Sequence, residues 1–164
     1  MEGFFRYYAS EHPQGEIDDF VNRKDEYNVC CCSMVSDDIF MWTHYASNHK
    51  GICIEIDADK ARSNNVTLEP IKYQPNIPWL RNNNGQIRDA KDILSMKISK
   101  WRYEKEIRAF CARNGNNKHI IGRITKVILG LRIEDHLKQV VRQCAGNIDV
   151  VEARLNFDTN TIDA

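Results

Sequence analysis

The sequence lacks an excess of either charge. Lys and Arg together number 23, as do Asp and Glu, so the formal net charge is zero. That balance speaks against nucleic acid as a partner, because a dedicated binder carries a basic footprint; it leaves room for a local basic patch. The sequence also lacks a long apolar run. Stretches such as Val127 to Leu131 have the length of a strand, far short of a membrane helix, so no membrane partner is expected. The opening Met1-Glu2-Gly3-Phe4-Phe5-Arg6 has no apolar core with a small-residue cleavage site, so no signal peptide is expected. A cytoplasmic location follows as an expectation, with the six cysteines as reduced thiols. No Cys-x-x-Cys occurs among them, so the paired ligands of a structural zinc site are missing and no metal is expected. With only 4 prolines and 8 glycines there is no linker-like tract, and no internal repeat or low-complexity segment stands out.

What is present is a core. Hydrophobic residues make up 42% and charged residues 28% of 164 positions, which fits one globular domain, 1–164, needing no disulfide or metal. The aromatic start (Phe4, Phe5, Tyr7, Tyr8) is broken by His12-Pro13-Gln14-Gly15 and is expected to meet an edge of the domain, a protein partner or a second copy. Glu16 to Lys24 reads as a short helix on Ile17, Phe20 and Val21. Asn28 to Val35 reads as a buried strand. Ser36-Asp37-Asp38 is a helix start, and the helix should run to about Ala46 with Ile39, Trp42, Tyr45 and Ala46 on one face. Ser47 to Gly51 ends it. Ile52, Ile54 and Ile56 alternate with Cys53, Glu55 and Asp57 as a half-buried strand.

Ala58 to Arg62 is a candidate helical turn and Asn64-Asn65 a turn. Thr67 to Tyr73 has strand character, with Pro70 marking an edge or a bulge. Gln74 to Gly85 reads as an exposed loop, anchored by Trp79 and Leu80. Gln86 to Ser99 has helical spacing. Glu106 to Ala112 alternates as a strand, and Asn114 to Asn117 looks like a hairpin turn. One or two strands follow within Ile120 to Gly130. An amphipathic helix on Ile133, Leu137, Val140, Val141 and Cys144 is capped by Gly146. Asp149 to Leu155 reads as a last strand, with Phe157 to Ile162 as an extension. This order predicts an α+β fold: a central mixed, mostly antiparallel sheet with helices packed on it.

Two blocks are less generic. The first is Cys32-Ser33, Asp37-Asp38, Met41-Trp42-Thr43-His44-Tyr45-Ala46, His49-Lys50-Gly51 and Cys53-Ile54. The second is Lys97, Trp101, Tyr103-Glu104, Glu106 and Arg108, with Tyr73 between the blocks. Together they resemble the bacterial family called domain of unknown function 2971, from about Val29 to the C-terminus. Residues 1–28 depart from the family pattern, so the chain resembles an N-terminally shortened or divergent member. The resemblance implies no reaction; the setting it suggests is mobile-element or phage-defence biology.

Chemistry is expected where the two blocks meet. Histidine is suited to proton transfer near neutrality, which makes His44 a candidate, with Trp42 and Tyr45 beside it and Lys50 at the helix end. If Glu104, Glu106 and Arg108 lie on one extended segment, they project from one face, and two carboxylates beside an arginine could do acid–base work or hold a polar ligand. Lys97, Trp101 and Tyr103 join as ligand-side candidates through the second block. The bland alternatives are a packed Trp42 and Tyr45, a His44 bonded to backbone, a solvated charged face, and cysteines acting as small buried apolar residues. The reading that follows is a binding or interaction protein with a small polar pocket near His44 and Glu106 and no known cofactor. A competing reading is an enzyme like an ADP-ribosyltransferase, with NAD as cofactor, Glu106 and Glu104 as carboxylates, and His44 and Tyr45 on the dinucleotide.

Overall fold

A computed structural model describes residues 14–58, 66–76, 81–113 and 120–164. The chain is α+β. In order, the described elements are α1 (Gln14–Lys24), β1 (Tyr27–Ser33), α2 (Ile39–Tyr45), β2 (Ile52–Asp57), β3 (Thr67–Pro70), β4 (Lys72–Gln74), α3 (Ala90–Leu94), β5 (Met96–Ile98), a 3-10 helix (Ser99–Glu104), β6 (Glu106–Ala112), β7 (Arg123–Leu129), α4 (Asp135–Ala145), β8 (Asp149–Glu152), β9 (Arg154–Asn156) and β10 (Thr161–Asp163). The sheet content is shared among small sheets with both antiparallel and parallel pairs. The chain forms two compact units: Met1–Cys32, Thr67–Arg102 and Glu106–Lys118 make the first, and Ser33–Val66, Tyr103–Lys105 and His119–Ala164 the second. The aromatic start, Trp79-Leu80, the 64–65 and 114–117 turns and most of the 58–62 turn lie outside the described residues.

In the first unit the strand order is β1-β6-β3, with β6 in the middle. A central strand is covered more evenly than an edge strand, and Glu106, Ala109, Phe110 and Cys111 are all buried. β3 pairs antiparallel with β6, from Thr67 opposite Phe110 to Pro70 opposite Ile107. Pro70, which has no N–H to give, is tolerated because β3 is an edge strand. Ile17 and Phe20 of α1 pack on Ala90 and Ile93 of α3.

Two expectations fail in this unit. The helix over Gln86 to Ser99 shrinks to Ala90–Leu94: Asp89 caps it by accepting from Lys91 N at 2.8 Å, and Met96–Ile98 leaves it to pair in parallel with Lys72–Gln74. A strand partner distant in sequence overrides local helical spacing here. The strand at Asn28 to Val35 exists as β1, but it is not buried: Val29, Cys30 and Cys31 are exposed. Cys30 and Cys31 are exposed on this edge strand and Cys32 is half-buried.

In the second unit Trp42, Ala46, Ile128, Ala153 and Ile162 form the core, with Cys53, Val151 and Leu155 against it. α2 starts where its residues dictate. Asp38 accepts hydrogen bonds from Phe40 N at 2.9 Å and Met41 N at 3.0 Å, satisfying two of the helix's unpaired donors. Trp42 is 3% exposed, and its indole N–H donates to the Ser36 carbonyl at 2.7 Å. The helix ends in three consecutive left-handed residues, Ser47, Asn48 and His49, with φ of 49°, 56° and 65°. Gly51 N then donates to Ala46 O at 2.8 Å and leads into β2. Gly130 is required opposite this turn, since a Cβ there would lie 2.3 Å from the His49 carbonyl oxygen.

The order here is β2-β7-β8, with β2 antiparallel to β7 and β8 parallel to it through α4. Cys53, Ile128 and Val151 stand in register and face the Trp42 core. Ile52 and Ile54 therefore occupy the other face, and they are 36% and 46% exposed. The alternation in β2 is real, but its small residue points inward and its isoleucines outward.

Candidate functional site

In the first unit, polar side chains gather on Glu106. This residue is 6% exposed at the start of the central strand. Arg108, two residues on and on the same face, donates from Nε to Oε1 at 2.6 Å. Lys97 of β5 donates from Nζ to Oε2 at 3.0 Å. The Glu106 backbone N–H donates to the Tyr73 hydroxyl at 2.8 Å. Arg108 also reaches the Leu94 carbonyl through Nη1. Burial pushes the Glu106 carboxyl up, but the hydrogen bonds from Arg108 and Lys97 outweigh it and leave the acid below its ordinary 4.5. Glu106 is thus ionised at neutrality with both oxygens engaged.

Aromatic rings flank this group. The Lys97 ammonium lies 5.1 Å from the centre of the Trp101 ring, and the Arg102 guanidinium 5.4 Å from that of Tyr73. The 3-10 helix Ser99–Glu104 supplies Trp101 and Arg102. Arg102 is exposed and carries no sequence signal beyond its place in the Trp-Arg-Tyr-Glu run. Burial pushes the Cys31 thiol up, and burial with the neighbouring Cys30 pushes Cys32 up to about 11. Thiols in that state are poor nucleophiles at neutral pH.

The second unit holds the other candidates. Trp42 is buried as expected, but Tyr45 is 63% exposed and does not share its burial. The Tyr45 hydroxyl instead donates to Glu104 Oε1 at 2.8 Å. Glu104 is 3% exposed, and its backbone carbonyl accepts from the Ser33 hydroxyl at 2.7 Å. Tyr103 is half-buried, its ring 5.8 Å from that of Phe40. His44 and Lys50 are exposed. His49 is the buried histidine of the block, 8% exposed and stacked on Trp42 with planes 5° apart. Its Nε2 is 3.3 Å from Thr43 Oγ1, and its buried Nδ1 has no hydrogen-bond partner. Burial, then the charge of Arg132, lowers its pKa.

The expected line-up of Glu104, Glu106 and Arg108 on one extended face does not form. Glu104 closes the 3-10 helix, and Lys105 turns through a left-handed φ of 41° before β6 begins. Glu106 and Arg108 do share a face. Lys97, Trp101, Glu106 and Arg108 fall in the first unit, and Trp42, His44, Tyr45, Lys50, Tyr103 and Glu104 in the second. A cavity of about 750 Å³ in the second unit is lined by Val151, Glu152, Ala153, Arg154, Asp163 and Ala164, none of them an expected site residue. Among the described residues no three His, Cys, Asp or Glu side chains converge as metal ligands. No described helix is long and apolar enough to cross a membrane.

Residues 41–109 match the model of a protein family described as "Protein of unknown function (DUF2971)". The matched segment contains Trp42, His44 and Tyr45 of one block and Lys97, Trp101, Glu104, Glu106 and Arg108 of the other. No curated protein and no solved structure matches the chain. The match over 41–109 supports a DUF2971 family member.

Proposed function

We propose that this chain is a binding protein whose ligand is a small anion, held beside Glu106 by Lys97, Arg102 and Arg108. One observation carries the reading: three cationic side chains gather about one carboxylate and two aromatic rings. The grouping is local, since the chain as a whole is neutral. Arginine forks match phosphate and carboxylate oxygens, and Trp101 and Tyr73 offer planar surface to a ligand that carries a ring. Isothermal titration with inorganic phosphate and with adenosine monophosphate tests this. Heat of binding that is weakened in Arg102→Ala supports the reading, and no heat from either probe at millimolar concentration defeats it.

The transferase-like reading needs a carboxylate free to act on the sugar of NAD. Glu106 instead meets Lys97 and Arg108, which counts against that role. Incubation with NAD separates the two readings. Nicotinamide released by the native chain and lost in Glu106→Gln establishes the enzyme.

A further inference from the structure

We infer that the turn from Ser47 to Gly51 is a proton-operated latch: protonation of His49 releases it and frees the end of α2 from the connection between β7 and α4. The turn lies within the second unit, separate from the Glu106 group. Ser47, Asn48 and His49 follow one another in the left-handed region, with φ of 49°, 56° and 65°. L residues visit that region singly, so three in a row are held there by their surroundings. Two backbone bonds tie the turn to the end of β7: Arg132 N donates to the His49 carbonyl at 2.9 Å, and Gly130 N to the Gly51 carbonyl at 3.0 Å. The His49 ring, 8% exposed and stacked on Trp42, is the third anchor.

The hydrogen bonds around this ring define where its proton sits. The Thr43 hydroxyl gives its one hydrogen to the Ile39 carbonyl at 2.8 Å, so toward His49 Nε2, 3.3 Å away, it accepts. That assigns the hydrogen of the neutral ring to Nε2 and leaves Nδ1 a bare acceptor. Nδ1 is buried and has no hydrogen-bond partner. A proton added there creates an N–H without an acceptor and a charge shielded from water, and both are costly in a buried place.

The groups that face the ring do not offset this cost. α2 presents Trp42 and Thr43, both uncharged, and the centre of the Trp42 ring is 6.4 Å away. That is past the reach of about 6 Å at which a ring face holds a cation well. The connection after β7 presents Arg132, whose positive charge repels a second one and, after burial, keeps the imidazole below its ordinary 6.5. Once the turn opens, water solvates the ring and it takes up a proton at about its ordinary value. The two states are therefore closed and neutral, and open and charged. The closed turn is fully favoured above 6.5, and it loses ground as pH falls toward the lower value of the closed state.

Amide hydrogen exchange of the full chain, followed residue by residue by nuclear magnetic resonance, tests this. Between pH of about 7.5 and about 5.5, the protection of the Gly51 and Arg132 amides, corrected for intrinsic exchange, should fall by about tenfold, as one proton bound only in the open turn would give. Low denaturant should leave both rates unchanged, because a local opening exposes little surface. The Ala153 amide, bonded to the Leu129 carbonyl at 2.8 Å in the sheet, should exchange more slowly and speed up with denaturant. His49→Gln, which keeps a donor for Thr43 and does not titrate, should abolish the pH-dependent fall. Protection that is flat with pH in the native chain, or Gly51 and Arg132 amides that exchange only in step with Ala153 under denaturant, overturns the proposal. So does a fall that persists in a natively folded His49→Gln; if that variant does not fold, the two native-chain readings decide.

Discussion

Replacing Glu106 by alanine isolates the energetics of the cationic group. The carboxylate is 6% exposed, the Lys97 side chain 20% and the Arg108 side chain 16%. Removing it strands two largely buried cations. Breaking a buried pair by deleting one partner costs about 3–5 kcal/mol. Arg108 retains the Leu94 carbonyl and both cations keep some water, so the lower end, about 3 kcal/mol, applies. For a chain of this size that corresponds to a fall of about 6–12 °C in thermal midpoint. Because the cost comes from stranded charge, Glu106→Leu combined with Arg108→Leu should cost less than the sum of the single changes. Acid should act the same way. Glu106 is held below its ordinary 4.5, so its contribution is complete above that value and is lost as pH falls through the lower folded value. Glu106→Gln should flatten that part of the stability profile. Calorimetry of the native and variant chains reads all three effects. A Glu106→Ala midpoint within about 2 °C of native, less than 1 kcal/mol at this size, would refute the clamped carboxylate.

Three further outcomes follow from the second unit. His49 is buried neutral with a lowered pKa, so the unfolded chain binds the proton first. Stability should rise with pH between the lowered folded value and 6.5, and His49→Gln should remove that slope in chemical denaturation at stepped pH. Gly130→Ala places a Cβ against the His49 carbonyl at 2.3 Å and the Gly51 carbonyl at 2.8 Å, and should cost about 1–3 kcal/mol by the same measurement. Trp42→Ala empties the centre of the core and leaves the Ser36 carbonyl without its donor, and should cost about 3–5 kcal/mol, with loss of the near-ultraviolet signal.

Where chemistry was local, the fold was legible in the sequence. Asp38 caps α2, β6 runs from Glu106 to Ala112, and Gly146 follows α4, all from nearest-neighbour signals. What was not legible depends on partners distant in sequence. Met96–Ile98 carries helical spacing and becomes a strand because Lys72–Gln74 lies beside it. The isoleucines of β2 alternate as expected, yet periodicity does not say which face meets Trp42. Of the site, Glu106 and Arg108 share a strand face and could be paired by spacing, while Lys97 reaches Glu106 from another strand. Glu104 escaped the same logic because Lys105 adopts a left-handed turn that a lysine rarely shows. Tyr45 shares a helical stripe with Trp42 on paper, but its hydroxyl goes to Glu104 and its ring to the surface.

The most direct measurement is titration of the native chain and Arg102→Ala with adenosine monophosphate, with NAD turnover followed in parallel. Arg102 is exposed and bonded to no carboxylate in the Glu106 group, so its loss should leave the fold intact. The expected result is saturable binding, weakened by about tenfold or more in the variant, as loss of a charged contact worth 1.4 kcal/mol would give, with no nicotinamide released. Binding that is absent or indifferent to Arg102, or Glu106-dependent release of nicotinamide, would contradict an anion-binding role.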